Sequence, residues 1–202
     1  MARAKATQDV RADILQTAGT LFHERGYDGT SMKDIAERIG ITAAGLYWHF
    51  DSKEAILSTY LETALERLVS VGQEALSLDD PADQLRAFTR SHVAFQIEDP
   101  DTSAVFDSMV YGANQLRRGM GSDEQKRLTA LERQHFNTLR NILDAGVTRG
   151  RFEVDNTGIA AFAIIGMGEH VIHWYRPSGE FGVEKVADEF AEYAVRMVSP
   201  RG

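Results

Sequence analysis

The chain has 202 residues, 43% hydrophobic and 26% charged, with a formal net charge of -8 and no cysteine. That length supports one full core or a small domain fused to a larger one, and the balance of apolar to charged residues is that of an ordinary globular protein, not a disordered or membrane-embedded one. The lack of cysteine excludes disulfides, thiol catalysis and every thiolate zinc site, and fits an intracellular, cytoplasmic location.

Residues 1–8 carry two basic side chains with no apolar stretch behind them, which predicts a short mobile arm and not a secretory signal. A first helix is predicted from Asp9 to Arg25, with Val10, Ile14, Leu15, Ala18, Leu21 and Phe22 on one face and Gly26 as its stop. Thr30 or Ser31 caps a short second helix carrying Met32, Ile35, Ala36 and Ile39 inward, and Gly40 closes it. Thr42 starts a third short helix reaching His49, and Asp51 to Glu54 has the spacing of a capping box at the head of a long fourth helix ending near Leu78.

Asp80 and Pro81 mark a fifth helix, which should end near Asp99 and Pro100. A sixth is expected from Ser103 to Arg118, a seventh from Asp123 to Thr148 before Gly150, an eighth from Asn156 to Tyr175 and a ninth from Val183 to Val198. The apolar spacing is helical throughout, so the fold class is all-α with about nine helices: a helix-turn-helix domain over residues 1–53 and a helical bundle over 54–202. The longest apolar run falls far short of the roughly 20 residues that cross a bilayer, so no membrane partner is expected.

The informative segment runs from Thr30 to Lys53, TSMKDIAERIGITAAGLYWHFDSK. It is a short helix, a glycine turn and a second short helix, with Ile35, Ala36, Ile41 and Leu46 as internal packing. The start of the second helix offers Thr42, Ala43, Ala44 and Gly45, small enough for the backbone to enter a DNA major groove about 12 Å wide. Thr42 can bond a base edge or phosphate, and the alanine methyls can pack on thymine methyls. Few bidentate contacts are on offer, so specificity should lean on DNA shape and water. Tyr47, His49 and Lys53 suit phosphates, while Trp48 reads equally well as a core aromatic. The net charge does not oppose this reading. Residues 1–53 hold seven basic and seven acidic side chains, which leaves the excess acidity behind them and turns the head toward a polyanion.

From Ile14 to Ile56, and most specifically at Gly-Leu-Tyr-Trp-His-Phe (45–50) followed by Ser-Lys-Glu (52–54), the sequence resembles the TetR family of bacterial regulators. The resemblance implies that Thr42 to Gly45 face the bases and that Ser31, Lys33, Tyr47, His49 and Lys53 contact the DNA backbone. It further implies a homodimer on a near-palindromic double-stranded operator, with no enzymatic activity and no cofactor, and a second domain that dimerises and holds an inducer.

In that second domain the eighth helix is apolar nearly all round, so it must be buried on more than one side. Together with the Val186, Phe190, Tyr193, Ala194 and Met197 stripe of the ninth it can pair across a two-fold axis or pack within one subunit. Glu169, His170, His173 and Trp174 stand out as polar or aromatic groups on that helix, with Glu169 and His173 on one face by their spacing. With His92, Phe95, Met109, Tyr111 and His135 they form the candidate effector-binding set, joined by Phe106, Phe136 and Leu139 as apolar lining. No tight metal-ligand motif is present. His-Trp-Tyr-Arg-Pro-Ser-Gly (173–179) is similar to the TetR subgroup that controls fatty-acid, steroid or aromatic-acid breakdown, which implies an acyl-CoA effector with Arg117, Arg118, Arg133 and Arg140 as candidates for its phosphates. An aromatic-cation sensor using Glu169, and more remotely an enzyme with a Glu-His base, are the competing readings. Ligand control would act by population shift, through the fourth helix shared by both domains.

Overall fold

The computed structural model describes residues 2–111 and 120–200, with side chains from residue 10 to 108 and from 120 onward. Nine α-helices and no strand occur among the described residues: α1 (Ala2–Arg25), α2 (Met32–Ile39), α3 (Ala43–His49), α4 (Lys53–Glu74), α5 (Pro81–Glu98), α6 (Pro100–Tyr111), α7 (Ser122–Thr148), α8 (Thr157–Glu169) and α9 (Val183–Val198). Short 3-10 turns follow α4 at Ala75–Ser77 and α8 at His170–His173. The all-α expectation holds.

The helix boundaries follow from local chemistry. Ser31 accepts from the backbone N–H of Asp34 while the Asp34 carboxylate accepts from the Ser31 N–H at 2.8 Å, a reciprocal cap for α2. Gly40, at φ +82°, ends α2 in the left-handed region that a side chain disfavours. Four expectations are corrected. α1 already begins at Ala2, so the expected mobile arm is a helical extension. Ser52, not Asp51, caps α4, its hydroxyl accepting from Ala55 N at 3.1 Å. Pro100 opens α6 instead of merely closing α5: Asp99 N donates to Phe95 O and its carboxylate accepts from Thr102 N at 3.3 Å, so one residue ends one helix and begins the next. α8 stops at Glu169, where the chain tightens into a 3-10 turn.

The chain falls into two compact units, one made of residues up to Ala64 with Ala104–Leu128, the other of Leu65–Ser103 with residues from Thr129 on. In the first, Ile14, Ala18, Leu21, Ile35, Leu46, Ile56, Leu57 and Leu61 are fully or almost fully buried and hold α1 to the α2–α3 pair and the start of α4. Gly19 lets the Tyr60 ring lie on α1, since a Cβ there would overlap its hydroxyl oxygen.

In the second unit α5 lies along α9 and against α8. Leu85, Phe88, Leu139, Ile142, Leu143, Phe152, Ala161, Ile164, Ala194 and Val198 form the main core, and Val93, Ile97, Val171, Val186 and Ala187 a second cluster beside it. Arg86 to Glu192 (2.7 Å) and Arg90 to Asp188 (2.6 Å) tie α5 to α9 at the rim. These pairs are exposed and add little stability, but they fix the register of the two helices.

Candidate functional site

The first candidate site is the tip of the α2–α3 pair. Thr42 caps α3, its Oγ1 accepting from Gly45 N at 3.0 Å, which spends one lone pair and leaves the O–H to donate. Thr42, Ala43 and Ala44 are exposed and Gly45 is half-buried, while Leu46 on the opposite side is fully buried and anchors the helix. The small residues therefore form an open surface backed by a rigid core. Lys33 is exposed beside Glu37 at 3.5 Å. Tyr47 is 52% exposed and Trp48 73% exposed, so Trp48 is no core aromatic. Its neighbour His49 is half-buried, with the two rings edge-on at 4.8 Å.

Two expected backbone contacts have internal duties. Ser31 is engaged in the α2 cap, its hydroxyl close against Asp34, and that contact, with the Ser31 N–H, holds the Asp34 carboxyl below the usual range. Lys53, expected as a free phosphate binder, is half-buried and donates to the carbonyls of Tyr27 (2.7 Å) and Thr30 (2.8 Å) while standing 4.0 Å above the Tyr27 ring. Two of its three N–H donors are thus spent on the loop that leads into α2. Burial, then the hydrogen bond to Glu54, raises the Tyr27 hydroxyl pKa, so the tyrosine keeps its proton at neutral pH. Sequence reasoning missed Arg11, whose Nη1 donates to His49 O at 2.7 Å and whose guanidinium lies 3.9 Å from the Phe50 ring centre. It secures the end of α3 from α1, a pairing across 38 residues that no local pattern reveals.

The second candidate site lies in the bundle. His92 on α5 and His135 on α7, 2% and 5% exposed, meet at 3.2 Å between Nδ1 of the former and Nε2 of the latter. Phe88 stacks on His135 with ring centres 4.6 Å apart. Burial pushes both imidazoles below their ordinary pKa, which keeps the pair neutral at neutral pH. Phe95, also buried, lies on α5 with Arg67 5.1 Å from its ring centre. Among the described residues, Thr89 Oγ1, His92 Nε2, Ser103 Oγ and His135 Nδ1 are buried with no hydrogen-bond partner. Phe88, Thr89 and Ser103 were not singled out from sequence; helical spacing places Thr89 and His92 one turn apart, the only advance signal.

The rest of the predicted set is elsewhere or outside view. Glu169, His170, His173 and Trp174 are all exposed at the end of α8. In the 3-10 turn that follows α8, His170 and His173 meet with ring centres 4.8 Å apart, because residues three apart eclipse in that geometry. Trp174 stacks on Phe190 at 6.1 Å. The side chains of Met109 and Tyr111, and Arg117 and Arg118 entirely, lie outside the described residues. Arg140 faces Asp144 at 3.7 Å, and Arg133 is exposed. The eighth helix, expected to be buried on more than one side, leaves Ile159 and Phe162 each 68% exposed in the single chain, with Tyr193 and Met197 on α9 about half-exposed. Among the described residues no group of His, Asp or Glu is arranged for a metal ion, and no helix is long and apolar enough to cross a membrane.

Comparison with known proteins agrees across both units. Residues 14–59 match the model of bacterial regulatory proteins of the tetR family, and residues 78–198 match a tetracyclin repressor-like C-terminal domain. The transcriptional repressor KstR2 of Rhodococcus jostii is 32% identical over 183 residues, 89% of this chain and 86% of that protein. The TetR-family regulator PfmR of Thermus thermophilus superposes with a TM-score of 0.80 at 33% identity, covering 91% of this chain and 97% of its own. AibR in complex with isovaleryl coenzyme A and operator DNA shares the fold with a TM-score of 0.76 at 23% identity, covering 95% and 99%. A helix-turn-helix with an open small-residue tip, joined in one chain to a helical bundle with this family match, settles the assignment: the protein belongs to the TetR family of bacterial transcriptional regulators and is not an enzyme.

Proposed function

We propose that the protein is a cytoplasmic repressor that binds a near-palindromic operator as a homodimer and releases it when a hydrophobic effector of the acyl-CoA type occupies the bundle. The observation that carries the DNA reading is the exposed tip of α3, where Thr42, Ala43 and Ala44 project beside exposed Tyr47 and Trp48. Thr42 to Gly45 approach the base edges; Lys33, Tyr47, Trp48 and His49 meet the sugar-phosphate backbone, with Ser31 and Lys53 supporting the surface they stand on. Residues 1–53 act as the reading head and 54–202 as the effector and dimerisation domain.

The apolar face of Ile159, Phe162, Tyr193 and Met197 supports pairing of α8 and α9 between two copies. The effector class is supported by the likeness to KstR2 and by a fold shared with AibR, which holds isovaleryl coenzyme A. Exposure of Glu169 favours this over an aromatic-cation sensor, which would bury that carboxylate among its aromatic residues. Release requires that the effector bind more tightly to the conformation whose two reading helices no longer fit successive major grooves, about 34 Å apart.

Fluorescence anisotropy on the DNA upstream of the protein's own coding region tests the reading. Nanomolar binding that falls on adding octanoyl-CoA is the expected result; binding no tighter than to random DNA overturns the regulator mechanism, and indifference to every acyl-CoA overturns the effector class.

A further inference from the structure

Recognition of a polyanion needs positive charge that is not already answered within the protein. Between residues 10 and 64 the chain carries five lysine and arginine side chains, and four of them are engaged. Arg25 faces Asp34 at 3.7 Å, Lys33 faces Glu37 at 3.5 Å and Arg38 meets Glu24 at 3.0 Å. A phosphate approaching any of these three meets a carboxylate beside the cation. Lys53 is half-buried and gives two of its three N–H groups to the carbonyls of Tyr27 and Thr30.

Arg11 stands apart. It is exposed on α1, and its partners among the described residues are neutral: the His49 carbonyl, which accepts from Nη1, and the Phe50 ring, whose centre lies 3.9 Å from the guanidinium carbon. A guanidinium has five N–H donors in one plane, and the bond to His49 uses one. Nε and Nη2 make no hydrogen bond among the described residues. They are the parallel donors that fit two oxygens of one phosphate. Carbonyl and ring hold the plane in place before any anion arrives, which reduces the side-chain freedom lost on binding.

The position suits a groove wall. From Ala43 to His49 α3 is about 10 Å long, and the major groove between its phosphate walls is about 12 Å wide. With Thr42 to Gly45 at the base edges, the C-terminal end of α3 reaches the rim of one wall, and Arg11 is fastened to that end beside exposed Trp48.

We propose that Arg11 binds a backbone phosphate of the operator through Nε and Nη2 while Nη1 keeps the His49 carbonyl, so that one side chain pins the outer end of α3 to the DNA. The proposal rests on the reading of α3 as the DNA-reading helix.

The test follows binding by fluorescence anisotropy over a range of KCl concentrations, on the DNA upstream of the protein's own coding region and on a random duplex of equal length. Each neutralised phosphate contributes about 0.9 to the slope of log K against log salt. Arg11→Gln should flatten that slope by about 0.9 for each bound head on both duplexes and weaken binding about tenfold or more at low salt, as for one charge-assisted hydrogen bond. Arg11→Lys keeps the charge without the fork, so it should hold the slope and recover part of the affinity. Arg11→Met, which keeps the stem on the Phe50 ring, replaces the glutamine variant if that one loses its helical circular dichroism signal. Neutral methylphosphonate links placed one at a time in the upstream duplex locate the contact. The wild type should lose affinity at one symmetry-related pair of links to which the uncharged variant is indifferent.

A residue that only holds α3 in place gives another pattern, weaker binding to the upstream duplex at an unchanged slope with equal sensitivity of both proteins at every link; that pattern overturns the proposal. Wild-type binding to the upstream duplex no tighter than to the random one retires the operator reading, and the slope on the random duplex then decides on Arg11 by itself. Tight, specific binding with slopes indifferent to Arg11→Gln sinks the arginine assignment alone.

Discussion

The reading head and the bundle treat their interior polar atoms in opposite ways. In the head, buried Thr30 donates to the carbonyls of Gly26 (2.9 Å) and Leu21 (3.2 Å), Lys53 closes over the carbonyls of Tyr27 and Thr30, and Arg11 holds that of His49. In the bundle, Thr89, His92, Ser103 and His135 each keep an atom without a partner among the described residues. A surface that must match a fixed groove benefits from a scaffold completed in advance, because rigidity before binding lowers the entropy lost on binding. A region that must answer a small molecule works differently, since only interactions left unmade in one state allow a ligand to favour another.

That contrast can be broken at several points. The largest effect is expected at the tip of α3, where Gly45→Glu puts a carboxylate on the groove face. Operator affinity should fall about 100-fold or more, to the non-specific level, with an unchanged helical circular dichroism spectrum. Retained affinity in an anisotropy titration would remove this tip from the interface. Next in size, Lys53→Met should cost about 2–3 kcal/mol in urea denaturation, because it strands two carbonyls in the head; a neutral result would mean the clasp is dispensable.

The bundle should show the reverse behaviour toward acid and toward apolar replacement. Unfolded histidines take up protons near pH 6.5, whereas the buried pair resists protonation, so stability is full above that pH and declines as pH falls below it. The slope should reach at most about 1.4 kcal/mol per pH unit for each histidine. The double variant His92→Leu with His135→Phe should flatten that slope. At pH 7 it should change stability by no more than about 1 kcal/mol, since both partners of the buried bond are removed together. A loss of several kcal/mol would show that the pair is a fastening and not an unfinished site.

Much of the fold was legible because helix ends are written locally. Gly40, Thr42, Asp80 with Pro81, Asn156 and Gly150 each announce a boundary through a cap, a fixed φ or a left-handed turn, and α9 runs over the residues its apolar stripe marks. Errors arose where two local signals overlapped. Asp51 and Ser52 are both capping types, and Pro100 both stops one helix and starts another. The candidate sites were less legible. Exposure of Trp48 depends on which face of α3 the Leu46 anchor buries, and the internal role of Lys53 depends on a loop 23 residues earlier in the chain. His92 and His135 are 43 residues apart, on separate helices whose periodicity gives a face but no partner. The identities of these side chains were readable; their meeting was not.

The uncovered strip of Ile159, Phe162, Tyr193 and Met197 has a consequence for control in the cell. A solitary chain exposes oil to water along that strip, and under the proposed pairing of two copies mass action would link the amount of protein made to the fraction able to span both operator halves. Repression would then fall more steeply than protein abundance as copy number drops, making synthesis and degradation a second input beside the effector.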